Sequence, residues 1–218
     1  MGLATRIFTY FDRRYRLREP LEYQLNKRIP AHLNWTNCFG GVTFVCFFVQ
    51  ALTGILLAFY YKPSLLEAYS SVLNIMEQVP FGAFVRGLHA WTANAMILMA
   101  TLHMLKVFFI SAYRPPREFT WVSGVTLFFV TVFFGFSGYL LPMNQLSYWA
   151  TTVGTEIAGA FPLVGRYVQL FLLGGGKISG ETLTRFYALH VLVLPAAIII
   201  LLAAHFSMIR RQGISEPL

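Results

Sequence analysis

Residues 85–110 read VRGLHAWTANAMILMATLHMLKVFFI. About 20 predominantly apolar residues suffice to cross a bilayer as a helix, and this stretch is longer. Its two charges, Arg86 and Lys106, stand near its ends, where long basic side chains reach back to the interface. Inside it lie two histidines, His89 and His103, at positions i and i+14. An ionisable group at membrane depth is costly unless it is partnered or used, so both are functional candidates.

Three other runs have the same character. Residues 38–61 lie in a stretch without charge between Arg28 and Lys62, and residues 119–141 carry none. Residues 183–209 are charged only at Arg185, with Arg210 and Arg211 closing the end. The pattern predicts an all-α fold, a polytopic transmembrane four-helix bundle over residues 33–210 followed by a short tail, 211–218. Residues 142–173 are also apolar. They carry Asn144, Gln145, Ser147, Thr151, Thr152, Thr155 and Glu156, however, and are broken by Gly154, Gly159, Pro162 and Gly165. Short amphipathic helices on the membrane surface are expected there instead of a fifth span.

The composition agrees with this reading. Of 218 residues 56% are hydrophobic and only 12% charged, about half the charged share of a soluble domain. A water-soluble globule and a disordered chain are both excluded. Four spans put both termini on one side, which receives 12 of the 17 Lys and Arg. The positive-inside rule assigns that side to the cytoplasm of a bacterial cell, or to the stroma if the membrane is a thylakoid. The net charge of +8 is then an orientation signal, and the expected partner is the lipid bilayer, with no nucleic acid.

Residues 1–32 are polar and basic, which rules out a cleaved signal peptide with its apolar core. Arg6 stands where N-myristoylation requires Ser or Thr. Phe8, Tyr10, Phe11, Tyr15 and Leu17 among arginines fit an amphipathic helix on the cytoplasmic-side leaflet. A solvated tail fits as well.

The fourth span repeats the histidine pattern, with His190 and His205 at positions i and i+15. At about 100° per residue, 14 steps return within roughly 40° of the starting face and 15 within roughly 60°. Supercoiling and a kink at Pro195 are expected to absorb the remainder. A single intramembrane histidine is as readily an interhelical hydrogen-bonding residue as a ligand. Four at matched spacing, on two spans that run the same way, define two levels: His89 with His190 near the outer surface, and His103 with His205 near the inner one. Two imidazoles do not complete a zinc site, which takes three or four protein ligands. Haem needs two axial ligands and fills an apolar slot. The four histidines are therefore the expected metal ligands, binding the iron of two haems held between helices.

Gly40 and Gly54 in the first span, and Gly124 and Gly138 in the third, share the i, i+14 period. Glycine there admits the edge of a macrocycle that a side chain would block, and ordinary small-residue packing is the alternative. Arg86 and Arg185 precede His89 and His190 by about one turn and are candidates for pairing with the outer haem's propionates; Arg210 is the candidate for the inner haem. Each is also explained as an interface anchor. The two cysteines, Cys38 and Cys46, are too far apart along one helix for a disulfide, form no C-x-x-C-H motif and read individually as small buried hydrophobes. His32 lies near the inner surface, where protonating a reduced quinone and having no such duty are equally open to it.

Residues 32–43 with Cys38-Phe39-Gly40-Gly41, residues 81–89 with Arg86, Pro116-Arg117-Glu118-Phe119-Thr120-Trp121, residues 182–190 and Met208-Ile209-Arg210-Arg211-Gln212-Gly213-Ile214-Ser215 resemble the short, four-helix cytochrome b family. The likeness extends from Asn26 through nearly the whole chain and includes the type found in cytochrome b6 and in menaquinol reductases. It implies that His89 and His190 ligate an outer, low-potential haem b, and His103 and His205 an inner, high-potential one. Cys38 matches the family's cysteine that holds an extra c-type haem through one thioether, while Cys46 has no such counterpart. His32 and Arg210 fall at the family's inner quinone site. The resemblance implies quinol as substrate and a Q cycle that drives proton translocation, and no catalytic residue is assigned to the chain. The Pro-Glu-Trp-Tyr motif of quinol oxidation is absent, which implies a separate subunit carrying the remaining cytochrome b helices. A Rieske iron–sulfur protein, a c-type cytochrome and a homodimeric complex are the other implied partners. Two departures concern the outer side: Pro142-Met143-Asn144 replaces the family's Pro-Trp-Asp, and Ala90 replaces an arginine that often follows the outer ligand. Competing readings are the di-haem anchor of a hydrogenase or formate dehydrogenase, a histidine-relay transporter, and a purely structural assembly subunit.

Overall fold

The computed structural model describes residues 2–26 and 34–213, which form two units, Met1–Asn34 and Trp35–Leu218. In the first, α1 (Leu3–Tyr15) and α2 (Arg18–Leu25) are joined by Arg16 in a left-handed conformation, φ 49°. Asp12 fixes that corner, accepting from the backbone N–H of Arg18 at 2.6 Å. Leu3, Ile7, Phe11 and Tyr15 recur at every fourth position, share one helical face and are all exposed.

The second unit is all helical. A 3₁₀ turn (Trp35–Cys38) leads into α3 (Phe39–Ala58), followed by α4 (Ala68–Glu77), α5 (Gly82–Phe109), α6 (Glu118–Leu140), α7 (Gln145–Gly159), α8 (Gly165–Leu173) and α9 (Gly180–Ala188). A π-helical turn (Leu189–Val193) then runs directly into α10 (Leu194–Gln212). Four stretches are long and apolar enough to cross a membrane: Trp35–Ala58, Gly82–Phe109, Glu118–Leu140 and Gly180–Gln212. The first ends at Ala58, short of the Tyr61 expected from hydropathy, because the Leu57 carbonyl takes the N–H groups of Tyr60 and Tyr61 and closes the helix. The fourth starts at Gly180, ahead of the expected Leu183, because Ser179 and Thr182 form a reciprocal capping box. This satisfies N-terminal donors and lets the helix begin there.

Within residues 142–173 the chain forms the two short helices α7 and α8 and no fifth long apolar helix. Between them a Cβ on Gly165 would lie 2.5 Å from the Gly159 carbonyl oxygen, so the tight corner requires glycine. The helix α4 was not legible as a separate element, although Ala68, Val72 and Ile75, its buried apolar residues, repeat at helical spacing.

Packing within the bundle is confined to a narrow interior. Cys46 and Phe47 of α3, Met96 of α5 and Ile198 of α10 form a buried cluster, flanked by Leu127, Val130 and Phe134 of α6. Each spanning helix thus contributes to one apolar layer. Outside it, Val45, Phe48, Ile55, Leu98, Phe129 and Ile200 are all more than half exposed. So much apolar surface is stable only against lipid, and the chain is an integral membrane protein.

Candidate functional site

The four histidines and four glycines meet in pairs. A Cβ built on Gly40 would lie 3.1 Å from His103 Cε1, and one on Gly54 would lie 3.3 Å from His89 Cε1. On the other side of the bundle, a Cβ on Gly124 would lie 3.4 Å from His205 Cε1, and one on Gly138 only 2.6 Å from His190 Cε1. Thus α3 runs antiparallel to α5, and α6 antiparallel to α10, each glycine making room for one imidazole. The glycines border the rings themselves, a closer role than the macrocycle contact expected from their period.

At the outer level the rings of His89 and His190 have centroids 6.4 Å apart and planes inclined at 74°. Imidazole–metal bonds are about 2.0–2.1 Å long, so one metal between two rings sets their centres about 6 Å apart. At the inner level His103 and His205 line a single cavity of about 420 Å³ with Gly40, Gly124, Phe47 and Leu202. Among the described residues no group of three or more His, Cys, Asp or Glu converges as a metal site. Two imidazoles per level, with a largely apolar cavity at the His103–His205 level, fit a bis-histidine haem and not a zinc ion.

Three hydroxyls determine which ring nitrogen faces the site. Thr53 Oγ1 lies 2.8 Å from His89 Nδ1 and donates its own proton to the Val49 carbonyl at 2.6 Å. Ser123 Oγ is 2.7 Å from His205 Nδ1 and donates to the Thr120 carbonyl. Ser137 Oγ is 3.0 Å from His190 Nδ1 and donates to the Phe134 carbonyl, which also lies 3.2 Å from that nitrogen. A hydroxyl has one proton. With it committed to the backbone, each oxygen accepts from Nδ1–H, so the neutral imidazole leaves Nε2 unprotonated and able to bind metal.

Further groups hold the helices at these levels. The buried Gln50 donates through Nε2 to the His89 carbonyl at 2.6 Å, pinning α3 to α5. Tyr61, just past α3, stacks on Tyr187 at 5.5 Å and donates to the Leu141 carbonyl at 2.6 Å. At the other end of the bundle Arg117 donates to the Gly213 and Gln212 carbonyls at 2.8 and 3.1 Å. Gln212 answers through Thr120 and the Pro116 carbonyl, each at 2.7 Å.

The remaining sequence candidates are distributed as follows. Arg86 donates to Met76 Sδ at 3.5 Å, and Arg185 donates to the Phe171 carbonyl with its guanidinium beside that ring. Arg210 is exposed and does not line the inner cavity, whose basic residues are Lys106 and Arg117. Cys38 is free and exposed at the entry to α3, whereas Cys46 is free and buried. Cys38 is not among the cavity's lining residues, but its neighbours Thr36, Asn37 and Gly40 are. His32 lies outside the described residues. Thr53, Ser123, Ser137, Gln50 and Arg117 were not expected at the site from sequence. A signal for three of them existed: Thr53, Ser123 and Ser137 each immediately precede one of the four glycines.

Asn144 caps α7, its side chain accepting from the Ser147 N–H at 2.9 Å, which Asn and Asp do equally well.

A cytochrome b/b6/petB family profile matches residues 24–213. The chain is 43% identical over 218 residues, the full length of both, to the cytochrome b6 of Synechococcus sp. strain RCC307. It is 50% identical to the cytochrome b6 of Heliomicrobium gestii over 191 residues, covering 87% of this chain and 90% of that one. A solved hyperthermophilic respiratory Complex III contains a chain that superposes with a TM-score of 0.88 at 34% identity, over 96% of this chain. This chain spans 56% of that one's length. With paired intramembrane histidines, glycines opposite each ring and this likeness over nearly its whole length, the chain belongs to the cytochrome b family.

Proposed function

We propose that the chain is the cytochrome b subunit of a quinol:electron-acceptor oxidoreductase of the Rieske/cytochrome b type. Two b haems, held by His89 with His190 and His103 with His205, supply one-electron transfer across the bilayer in a Q cycle. The observation that carries this reading is the set of four imidazoles at two levels, each with a glycine against its ring. The chain's own work is positional. Thr53, Ser123 and Ser137 fix the tautomer, Gln50 pins α3 to α5, Tyr61 ties the end of α3 to the end of α6, and the apolar layer around Phe47 and Ile198 keeps water out between levels.

The finer assignments extend this reading. Arg86 and Arg185 serve the outer propionates, and Arg117 with Lys106 suits the inner ones better than Arg210, because they line the cavity. Arg210 and His32 remain the candidates for the inner quinone. Cys38, exposed and unpaired at the cavity rim, takes a c-type haem through a single thioether. Both termini lie on the cytoplasmic or stromal side, where α1 rests its apolar stripe on the anionic leaflet. The complex includes a subunit with the remaining cytochrome b helices, a Rieske protein and a c-type cytochrome, as a homodimer.

The test is a redox-resolved optical spectrum of the purified complex, followed by a denaturing gel stained for haem. Two b-type potentials are expected, with the inner one lost in His103→Ala. Haem remaining on this chain in the gel, and lost in Cys38→Ser, is the expected mark of the thioether. A complex without b-type absorption overturns the proposal.

A further inference from the structure

We infer that the π-helical turn Leu189–Val193 is a register adapter, which absorbs the extra residue between the two histidines of the fourth span and brings both into line with their partners on the second. The inference rests on the reading of the four histidines as two haem sites. On α5, a regular helix from Gly82 to Phe109, His89 and His103 are spaced i, i+14; on the fourth span His190 and His205 are spaced i, i+15. The facing glycines keep the i, i+14 spacing on both α3 and α6, and all four lie against their rings.

Regular helices cannot satisfy both counts. One extra residue turns a side chain by about 100° and shifts it about 1.5 Å along the axis, which would carry one of the two histidines off the face its partner occupies. A π turn closes i→i+5 bonds and holds one residue more than an α turn. The Leu194 N–H donates to the Leu189 carbonyl, which is such a bond, and His190 lies inside the turn. The longer spacing then acts as the shorter one.

Pro195 follows directly. In a regular helix its ring would press on the carbonyl one turn back, that of Val191, and its missing N–H would leave that carbonyl without a partner. Widening the turn moves the carbonyls off the i→i−4 pattern and gives the ring room. The kink expected at Pro195 is therefore not what restores register; the turn before it does, and the proline occupies the space the turn opens.

The test compares two deletions in the assembled complex by haem-to-protein ratio, redox titration and the low-spin haem resonances. Leu192 is 69% exposed and lies in the turn; Leu98 is 55% exposed and lies in regular α5. Deleting Leu192 together with Pro195→Ala removes the adapter and leaves an i, i+14 spacing. Both haems are expected to remain, with potentials and resonances near wild type. Deleting Leu98 shortens the α5 spacing to i, i+13 with no adapter to compensate, and at least one haem is expected to be lost. Loss of a haem in the first variant, or retention of both in the second, overturns the adapter. A wild-type complex without two b-type potentials overturns the haem reading itself, so the two failures are distinguishable. Should either variant fail to assemble, a structure of the native complex decides: a Leu194–Leu189 bond supports the adapter, and a regular α-helix over residues 189–194 overturns it.

Discussion

Alanine at Gly138 would place a methyl 2.6 Å from His190 Cε1, against 3.1, 3.3 and 3.4 Å at Gly40, Gly54 and Gly124. Overpacking of this kind costs about 1–3 kcal/mol, and it falls directly on a ligand. We expect Gly138→Ala to lose outer haem, Gly124→Ala to keep its inner haem, and the other two to fall between, as read by haem content after detergent extraction. The hydroxyls act electronically. A hydrogen bond from Nδ1–H makes the imidazole a stronger donor and favours oxidised iron. Ser123→Ala should raise the inner haem's potential on the order of tens of millivolts, the equivalent of about 1 kcal/mol. Ser137→Ala should raise the outer one likewise, and in each case a backbone carbonyl beside the ring, Phe134 for His190 and Thr120 for His205, tempers the shift. The absence of a shift in both variants would count against tautomer control. Of these residues the histidines and glycines were legible from their period. The hydroxyls were not, because Ser or Thr within a span also serves simply by bonding its own helix, and only folding places Ser123 beside a histidine 82 positions away.

At the scale of elements, two contacts are open to measurement. Asn144→Asp should leave α7 intact, whereas Asn144→Ala should weaken its first turn by about 1 kcal/mol, seen as faster hydrogen exchange through residues 145–148. Arg117→Ala removes two charge-assisted bonds to the end of α10 and leaves Gln212 with Thr120 and Pro116. Such bonds are worth about 1.5–3 kcal/mol each, so the end of α10 should become protease-sensitive while α3 and α5 do not. The spanning helices were legible because a bilayer demands long apolar runs whatever their tertiary neighbours. Their ends moved slightly because capping bonds, not hydropathy, set them. The π turn was invisible, since an i, i+15 spacing between histidines is one that a kink, a supercoil or a bulge can each accommodate.

Across the whole molecule, the buried layer of Cys46, Phe47, Met96 and Ile198 couples the two levels mechanically. Phe47→Ala should cost about 3–5 kcal/mol and lower the temperature at which both haems are released together, whereas a lesion confined to one site should release one first. The layer's depth follows from sequence, since it must lie between the histidines. Its membership does not, because nearly every residue in a span is apolar and only packing separates the few that face inward.

Thr53, Ser123 and Ser137 share their bonding pattern with Thr43, Thr101, Thr126 and Ser207, each of which donates to a carbonyl one turn back on its own helix. Passing a proton along a membrane requires hydroxyls that receive at one moment and release at the next, aligned from one neighbour to another. Here each of these hydroxyls releases only toward its own helix, and those touching an imidazole receive from it without a further acceptor. Among the described residues these seven hydroxyls therefore offer no relay for protons along the spans. That arrangement counts against the proton-relay reading, and it suits a subunit which, on the function proposed above, must not let protons leak back through it.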